Sequence, residues 1–442
     1  MELVTPDTTT KQKIVIVGGG AGGLELATRL GKILGKKNKA EIFLVDENLN
    51  HVWKPLLHEV AAESFDPVID RINYFAHAAQ HYYQYHPGQM INLCRKNKEI
   101  ILAAFVDENQ QEIIPPRTLK YDTLIFAVGS KGNYFRTPGA SQYCLTLDNL
   151  DQANLFQKRF INKIFAINYS QKASSTPFNI IIVGAGATGV ELAAELHRSL
   201  VEMQMYGLKN AALSLTQITL IESSKRILSG LPQQLAESVS KKLHELNIHL
   251  LTDEKVTQVQ ADGIHTQSGK FIPADLCVWA AGIKAPQFLK NLDGLQTDAV
   301  NRLVVHPNLQ TTYDKSIFAL GDCAHLVDPK TGLLVPARAQ AAHQQALFLV
   351  HAFKKNYMNG TFKFHDRGSI IALASYSAYG NLTTFNKFQY YISGKIALFA
   401  YKSLYFFHLA ILHGFWSAFW FKLTRTRLIK LKSRLKLHIG KS

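Results

Sequence analysis

A glycine pattern that turns a buried strand into a helix occurs twice in this chain. Gly18-x-Gly20-x-x-Gly23 follows the apolar run Ile14–Val17, and Gly184-x-Gly186-x-x-Gly189 follows Ile180–Val183, 166 residues later. Leu24–Leu30 and Val190–Leu196 read as helical, so both patterns sit at a strand–turn–helix junction. The glycines, with Ala21 and Gly22 inside the first pattern and Thr188 inside the second, permit a tight turn, a close approach of backbone to a pyrophosphate, and close packing of helix on strand. The helix N-terminus then offers N–H groups and a positive dipole to the phosphates. One such pattern is a weak signal, because plain connectors are also glycine-rich. Two in the same context imply two dinucleotides on one chain, a flavin and a nicotinamide being the first expectation.

Each pattern is followed by an acid where a ribose would need one. The strand Glu41–Val45 ends at Asp46, and Gln217–Ile221 ends at Glu222. A carboxylate there accepts hydrogen bonds from ribose hydroxyls and repels a 2′-phosphate, so Glu222 favours NADH over NADPH. Lys225 and Arg226, close behind, pull the other way.

The intervening sequence repeats the design. Tyr121–Ser130, containing Ala127 and Gly129, is an apolar run ending in a glycine turn, and Ala274–Gly282, containing Ala281 and Gly282, matches it in position and pattern. A third such run, Ser316–Gly321, delivers Asp322 to the edge where ligands of such sheets bind; Asp322 is expected at the ribityl chain of a flavin or as a cap of the next helix. The expected fold is α/β, with two Rossmann-like dinucleotide-binding domains, one nested in the other, and a C-terminal amphipathic helical region that anchors to a membrane. The expected boundaries are 12–150 with 295–385 for the flavin domain, 178–290 for the nicotinamide domain and 386–442 for the anchor, with a linker at Ser174–Pro177.

Cysteine usage narrows the chemistry. Cys94, Cys144, Cys277 and Cys323 are widely spaced, with no CxxC and no metal pattern, which suits free thiols in a reducing compartment. No HExxH follows His58-Glu59 either, so no metal is expected. A disulfide-relay reductase needs two thiols close in sequence, and none are present.

The charge is concentrated at one end. Formal net charge is +16, yet twelve Lys/Arg and no acid follow Asp366, leaving +4 for everything before it. A nearly balanced body with a basic, aromatic tail points to an anionic membrane surface, and no nucleic acid is expected. Ser403–Phe421 is nineteen residues without a formal charge, and Lys422–Lys441 then carries eight Lys/Arg with Leu428, Leu431 and Leu435 at helical spacing. Length alone allows a span. Basic flanks on both sides oppose one, and Lys395, Lys402, His413 and Ser417 form a narrow polar stripe on a single apolar helix. Helices lying in the interface are therefore expected, with Trp416 and Trp420 at headgroup depth and His408 and His413 as interfacial polar groups; burial of the element in a homodimer is the alternative. Deleting 390–442 is expected to release the protein from membranes while sparing soluble-acceptor activity.

HVWKPLLHEVAAE (His51–Glu63, with Lys54), GAGATGVELAAELH (Gly184–His197), YDTLIFAVGS, VWAAGIKAP, SIFALGDCA, VPARAQAAHQQA (Val335–Ala346) and the terminal RLKLH together resemble the type II, single-subunit NADH:quinone oxidoreductases of bacterial respiratory chains. The resemblance runs from about residue 12 to 438. It implies FAD held non-covalently, NADH as donor, a membrane quinone as acceptor, no proton pumping, and a peripheral place on the cytoplasmic face of the inner membrane. It carries the quinone motif onto Ala339-Gln340-Ala341-Ala342-His343-Gln344, with both amides directed at a quinone carbonyl and the small alanines admitting a planar ring. It makes Glu191 the acid near nicotinamide and quinone, against the simpler role of a helix N-terminal acid, and Lys54 a cofactor contact. Ser375–Leu382 fits the family pattern loosely. The rivals are a reductase of the same fold with another acceptor, such as a ferredoxin or a sulfide-linked quinone reductase, and a basic-tailed flavoprotein redox sensor.

Overall fold

The run before the first glycine pattern forms the strand Gln12–Val17, which lies inside a six-stranded sheet. The order is Gln310–Thr311, Asp314–Ala319, Thr123–Phe126, Gln12–Val17, Ala40–Asp46, Gln84–Pro87, parallel throughout except for the hairpin at the Gln310–Thr311 edge. Strands covered on both faces read as continuous apolar runs, and Ile14, Val15 and Ile16 are fully buried. The computed structural model describes residues 11–65, 71–169, 177–208, 215–383 and 388–431, with side chains to 424. Residues 174–176 of the expected linker and the basic tail beyond 431, including Leu435, lie outside the described residues.

The chain forms two compact units. The first comprises the described residues of Met1–Val52, Arg71–Lys131 and Lys284–His365. In it the helices Ala21–Leu30 and Ala339–Lys355 pack against each other. Their crossing is close because Gly22 has no side chain: a Cβ there would lie 2.6 Å from Leu320 Cδ1 and 3.2 Å from Ala342 Cβ.

The second comprises the described residues of Trp53–Asp70, Gly132–Ile283 and Asp366–Ser442. Its parallel sheet, in the order His249–Leu251, Thr216–Ile221, Phe178–Val183, Leu276–Trp279, repeats the central register of the first. The helix Ala187–Met205 follows the second glycine pattern, as expected. An antiparallel sheet of Gly368–Leu373, Ser377–Thr383 and Gln389–Ser393 leads directly into the helix Gly394–His413.

Nesting is as the sequence implied, but three segments assigned to the flavin domain belong to the second unit. Residues 53–65 form the short helix Leu57–Ala61, which packs on Leu150–Tyr169 and Ala187–Met205, with the Ser199 hydroxyl donating to the Ala62 carbonyl. Residues 132–150 join through Leu145, which pairs with Val278 and bonds the Cys277 carbonyl. Residues 366–383 join through Ala372, whose N–H donates to Glu191.

The tail differs in three respects. The uncharged run breaks at Gly414, which adopts φ +88°, so Gly394–His413 and Phe415–Leu431 are two helices and the stripe joining His413 to Ser417 does not exist. Lys422 lies 5.9 Å from the Phe399 ring and 5.2 Å from that of Phe406, so the second helix doubles back on the first. His408 is buried, not interfacial: its ring stacks on Trp53 at 3.8 Å, while Tyr405 packs edge-on to Phe65. Gly394–His413 is long and apolar enough to cross a membrane by length and composition. Yet Ala397, His408, Leu409 and Leu412 are buried within the fold, and its other faces expose Ile396 (73%) and Phe399 (71%) beside Trp416 (72%) and Trp420 (60%) of the next helix.

Candidate functional site

Each sheet carries a glycine turn that leads into a helix, and the two are built alike. Gly18 and Gly184 adopt φ near +104° and +103°, where a side chain is strained, and a Cβ on either would strike the backbone at Ala127 or Ala281. A Cβ on Gly23 or Gly189 would collide with the carbonyl of Gly18 or Gly184, so the third glycine is needed for helix–strand contact. The middle glycine is different. Gly186 has nothing within 4 Å of a Cβ and Gly20 only the Ala127 carbonyl at 4.0 Å, which leaves the helix N-terminus open to a ligand. Ala21 is half-buried and Gly22 buried, whereas Thr188 is exposed at the mouth.

The strand-end acids lock these loops. Asp46 accepts from the Gly19 N–H at 2.6 Å and the Asn48 N–H at 2.8 Å. Glu222 accepts from the Ala185 N–H at 3.0 Å and the Ser224 N–H at 2.8 Å. Burial raises the Asp46 carboxyl, against the pull of its hydrogen bonds from Asn48 and Gly19. Arg226, which had weakened the inference from Glu222, is committed elsewhere: its guanidinium donates to the carbonyls of Leu228, Ser229 and Leu231 at 2.8–3.0 Å. Ala281 lies against the second glycine turn, and Gly282 follows it at φ +66°.

In the first unit Gly129 and Gly321, at φ +66° and +72°, end two neighbouring strands. Asp322 is not a helix cap. It lies in the single turn Gly321–Cys323 and accepts from the Ser130 hydroxyl at 2.7 Å, at the carboxyl edge of the sheet where a flavin chain would run. The Ala339–Lys355 helix departs from expectation. Ala341 and Ala342 are buried, and Ala342 lies against Gly22 of the helix Ala21–Leu30, so its small size serves helix crossing. Gln344 commits its amide to His365, donating to the carbonyl at 2.8 Å and accepting from the N–H at 3.0 Å. It does not stand beside Gln340 as a second amide for a quinone; Ala339 is exposed and Gln340 half-buried at the helix start. Sequence reading missed two ties here: buried Glu25 accepts from His343 Nδ1 and from Arg29, each at 2.7 Å, and Gln345 accepts from the Gly321 N–H at 2.7 Å.

The second unit holds an acid centre. Glu191 is buried one turn into its helix, accepts from the Ala372 N–H at 3.1 Å and from the Tyr401 hydroxyl, and has His58 Nδ1 at 4.0 Å. Burial first, then Glu59 and Glu195, push its carboxyl up to about 8, while the Ala372 and Tyr401 bonds oppose. Burial drives His58 down to about 4. Around neutral pH the two are therefore a neutral imidazole beside a protonated carboxyl, not an ion pair. His58, Glu59 and Tyr401 were missed because they converge from segments far apart in sequence. Lys54 is exposed on the turn Lys54–Leu56. The cysteines also gain a relationship that spacing concealed: Cys144 and Cys277 lie Sγ to Sγ at 3.0 Å inside the second unit's core, as thiols.

Residues 12–346 match the family model described as pyridine nucleotide-disulphide oxidoreductase. The chain is 40% identical to a type II NADH:quinone oxidoreductase of Haemophilus influenzae over 97% of its own length and all of that protein. It is 24% identical to the Staphylococcus aureus enzyme of the same name, covering 89% and 94% of the two chains. Its fold superposes on NDH2 of Plasmodium falciparum in complex with NADH with a TM-score of 0.82 at 19% identity, covering 97% and 100%.

Proposed function

The chain belongs to the pyridine nucleotide-disulphide oxidoreductases and, among them, to the type II NADH:quinone oxidoreductases, and on that premise we propose how its residues divide the reaction. The enzyme oxidises NADH and reduces quinone with FAD as cofactor and without proton pumping. When bound, the flavin supplies hydride acceptance and two-electron transfer to the quinone.

Gly18, Gly20, Ala21, Gly22 and Gly23 with Asp46, and Ala127, Gly129, Gly321 and Asp322 across the sheet edge, hold the FAD. Gly184, Gly186, Thr188 and Gly189 with Glu222, Ala281 and Gly282 hold NADH. Glu222 sets the preference for NADH, since its carboxylate repels a 2′-phosphate and Arg226 is occupied by backbone carbonyls. Gln340 offers its amide to a quinone carbonyl, with Ala339 leaving room, and Gln344 positions the segment through His365. Glu191 holds a proton near neutrality and gives it to the quinone as reduction proceeds. The exposed aromatic faces of the two C-terminal helices rest on an anionic bilayer, at the cytoplasmic side of the membrane, where quinone is met.

The observation that carries this reading is the repeated bond from strand-end acid to glycine loop, Asp46 to Gly19 and Glu222 to Ala185, on two sheets of one register. Its test is NADH and NADPH oxidation by reconstituted protein with a short-chain quinone, alongside the flavin spectrum. Fast quinone-dependent turnover with strong NADH preference is expected. A flavin that NADH reduces but quinone does not reoxidise overturns the acceptor.

A further inference from the structure

The Ala187–Met205 helix carries Glu191, Glu195 and Glu202 on its buried side. Residues four apart share a face, so Glu195 stands one turn behind Glu191. The division of labour above has no use for it. A second buried carboxyl in a low-dielectric setting is costly unless it is paired or protonated.

The groups facing Glu195 come from four elements. Its own helix supplies Arg198, with Nη2 at 3.1 Å, and Glu202, to which Arg198 also reaches at 3.7 Å. The Leu57–Ala61 segment supplies Glu59, which lies in the field of Tyr401, and just beyond it Ser64, a neighbour of Glu195 whose hydroxyl donates to the Glu59 carbonyl at 3.1 Å. The Gly394–His413 helix supplies Tyr401 and Lys402. The turn before Ser377 supplies Tyr376, which bonds His197 at 2.9 Å. Tyr401 is the common element: it donates to Glu191 and lies in the field of Glu59 and Glu195 as well. Arg198 and Tyr376 are half-buried, so this row connects the interior to the surface. Burial outweighs the Arg198 cation and keeps the Glu195 carboxyl above its ordinary range.

We propose that Glu195 is a relay residue that returns a proton to Glu191, one turn away on the same helix, from the Arg198–Tyr376 surface, beside the Tyr401 hydroxyl. The inference rests on the reading of Glu191 as proton donor. Quinone reduction to quinol takes two electrons and two protons. NADH gives a hydride, which carries the electron pair and one hydrogen nucleus, so NADH, quinone and one further proton yield NAD+ and quinol. One O–H bond of the quinol forms as the Glu191 carboxyl O–H breaks. The Glu191 carboxylate then takes the Glu195 proton, and Glu195 takes one from water.

The test compares full-length, flavin-loaded protein in vesicles using a short-chain quinone and ferricyanide, which accepts electrons without protons. Glu195→Gln is expected to lower the ratio of quinone to ferricyanide turnover by about tenfold or more and to raise the solvent deuterium isotope effect on the quinone reaction. Glu195→Asp is expected to recover part of both. Infrared spectra at neutral pH are expected to show two protonated-carboxyl stretches, one lost in Glu191→Gln and the other in Glu195→Gln. An unchanged ratio in Glu195→Gln with a lowered one in Glu191→Gln removes the relay and keeps Glu191 as donor. An unchanged ratio in Glu191→Gln removes both. Absence of the Glu195 stretch removes the relay whatever the kinetics.

Discussion

At Glu191 and His58, burial acts on an acid and a base in opposite senses, and pH separates them. Glu191 holds its proton up to about 8 in the folded protein against an ordinary 4.5, so the folded state binds more protons than the unfolded one across that range and stability falls as pH rises. His58, at about 4 against an ordinary 6.5, stays neutral when folded, so stability rises with pH from 4 to 6.5. The two oppose each other up to 6.5, and above it the Glu191 contribution continues without that of His58, in the same sense as that of Glu195, whose carboxyl is also raised by burial. Melting temperature is expected to fall between pH 6.5 and 8, and Glu191→Gln to flatten that fall. Quinone turnover is expected to decline through about 8 in the parent only. Glu222 admits a sharper test. Glu222→Gln keeps an acceptor for the Ala185 N–H but loses the charge, so kcat/KM for NADH should drop roughly tenfold, worth one charge-assisted hydrogen bond, and the NADH-to-NADPH ratio should narrow. An unchanged ratio would remove Glu222 as the discriminator.

Among the elements, the crossing of Ala21–Leu30 and Ala339–Lys355 shows how one motif serves packing and chemistry together. Gly22 and Ala342 allow the approach, and the Glu25–His343 bond fixes its register. Ala342→Leu introduces three carbons where a Gly22 Cβ would already be tight, and is expected to cost about 1–3 kcal/mol by denaturant melts. The Ala-Gln-x-x-x-Gln pattern was legible in sequence, yet spacing alone treats Gln340 and Gln344 as equivalent. His365, 21 residues on, makes them different by taking the amide of Gln344. The C-terminal run shows the same limit: nineteen uncharged residues read as one helix until Gly414 turns the chain.

For the whole molecule, the tail is both an exposed aromatic surface and a wall of the acid centre. Tyr401 bonds Glu191 and His408 stacks on Trp53, so the helix Gly394–His413 belongs to the acid centre while its other faces expose Ile396 and Phe399. Deleting 390–442 therefore removes more than an anchor and is expected to destabilise the second unit. Ending the chain at Gly414 keeps Tyr401 and His408. That shorter truncation is expected to retain the parent's melting behaviour and ferricyanide turnover while losing salt-sensitive sedimentation with anionic vesicles, because eight of the twelve C-terminal cations go with it. Undiminished sedimentation would place the membrane contact elsewhere.

By itself the sequence determined the two glycine turns, the acids that bond them and the nesting of one Rossmann-like fold in another. Those features are local: a buried strand, a glycine turn and an acid at the next strand's end are each specified by residues close together, and repetition made them unambiguous. Tertiary structure alone decided the acid centre, where His58, Glu191, Glu195, Ala372 and Tyr401 arrive from a short helix, a long one, a strand edge and the tail. It also decided which glutamine is held by backbone and which cysteines touch. A carboxyl's proton affinity depends on what excludes water from it and what charge lies beside it, and neither is a property of its neighbours in sequence.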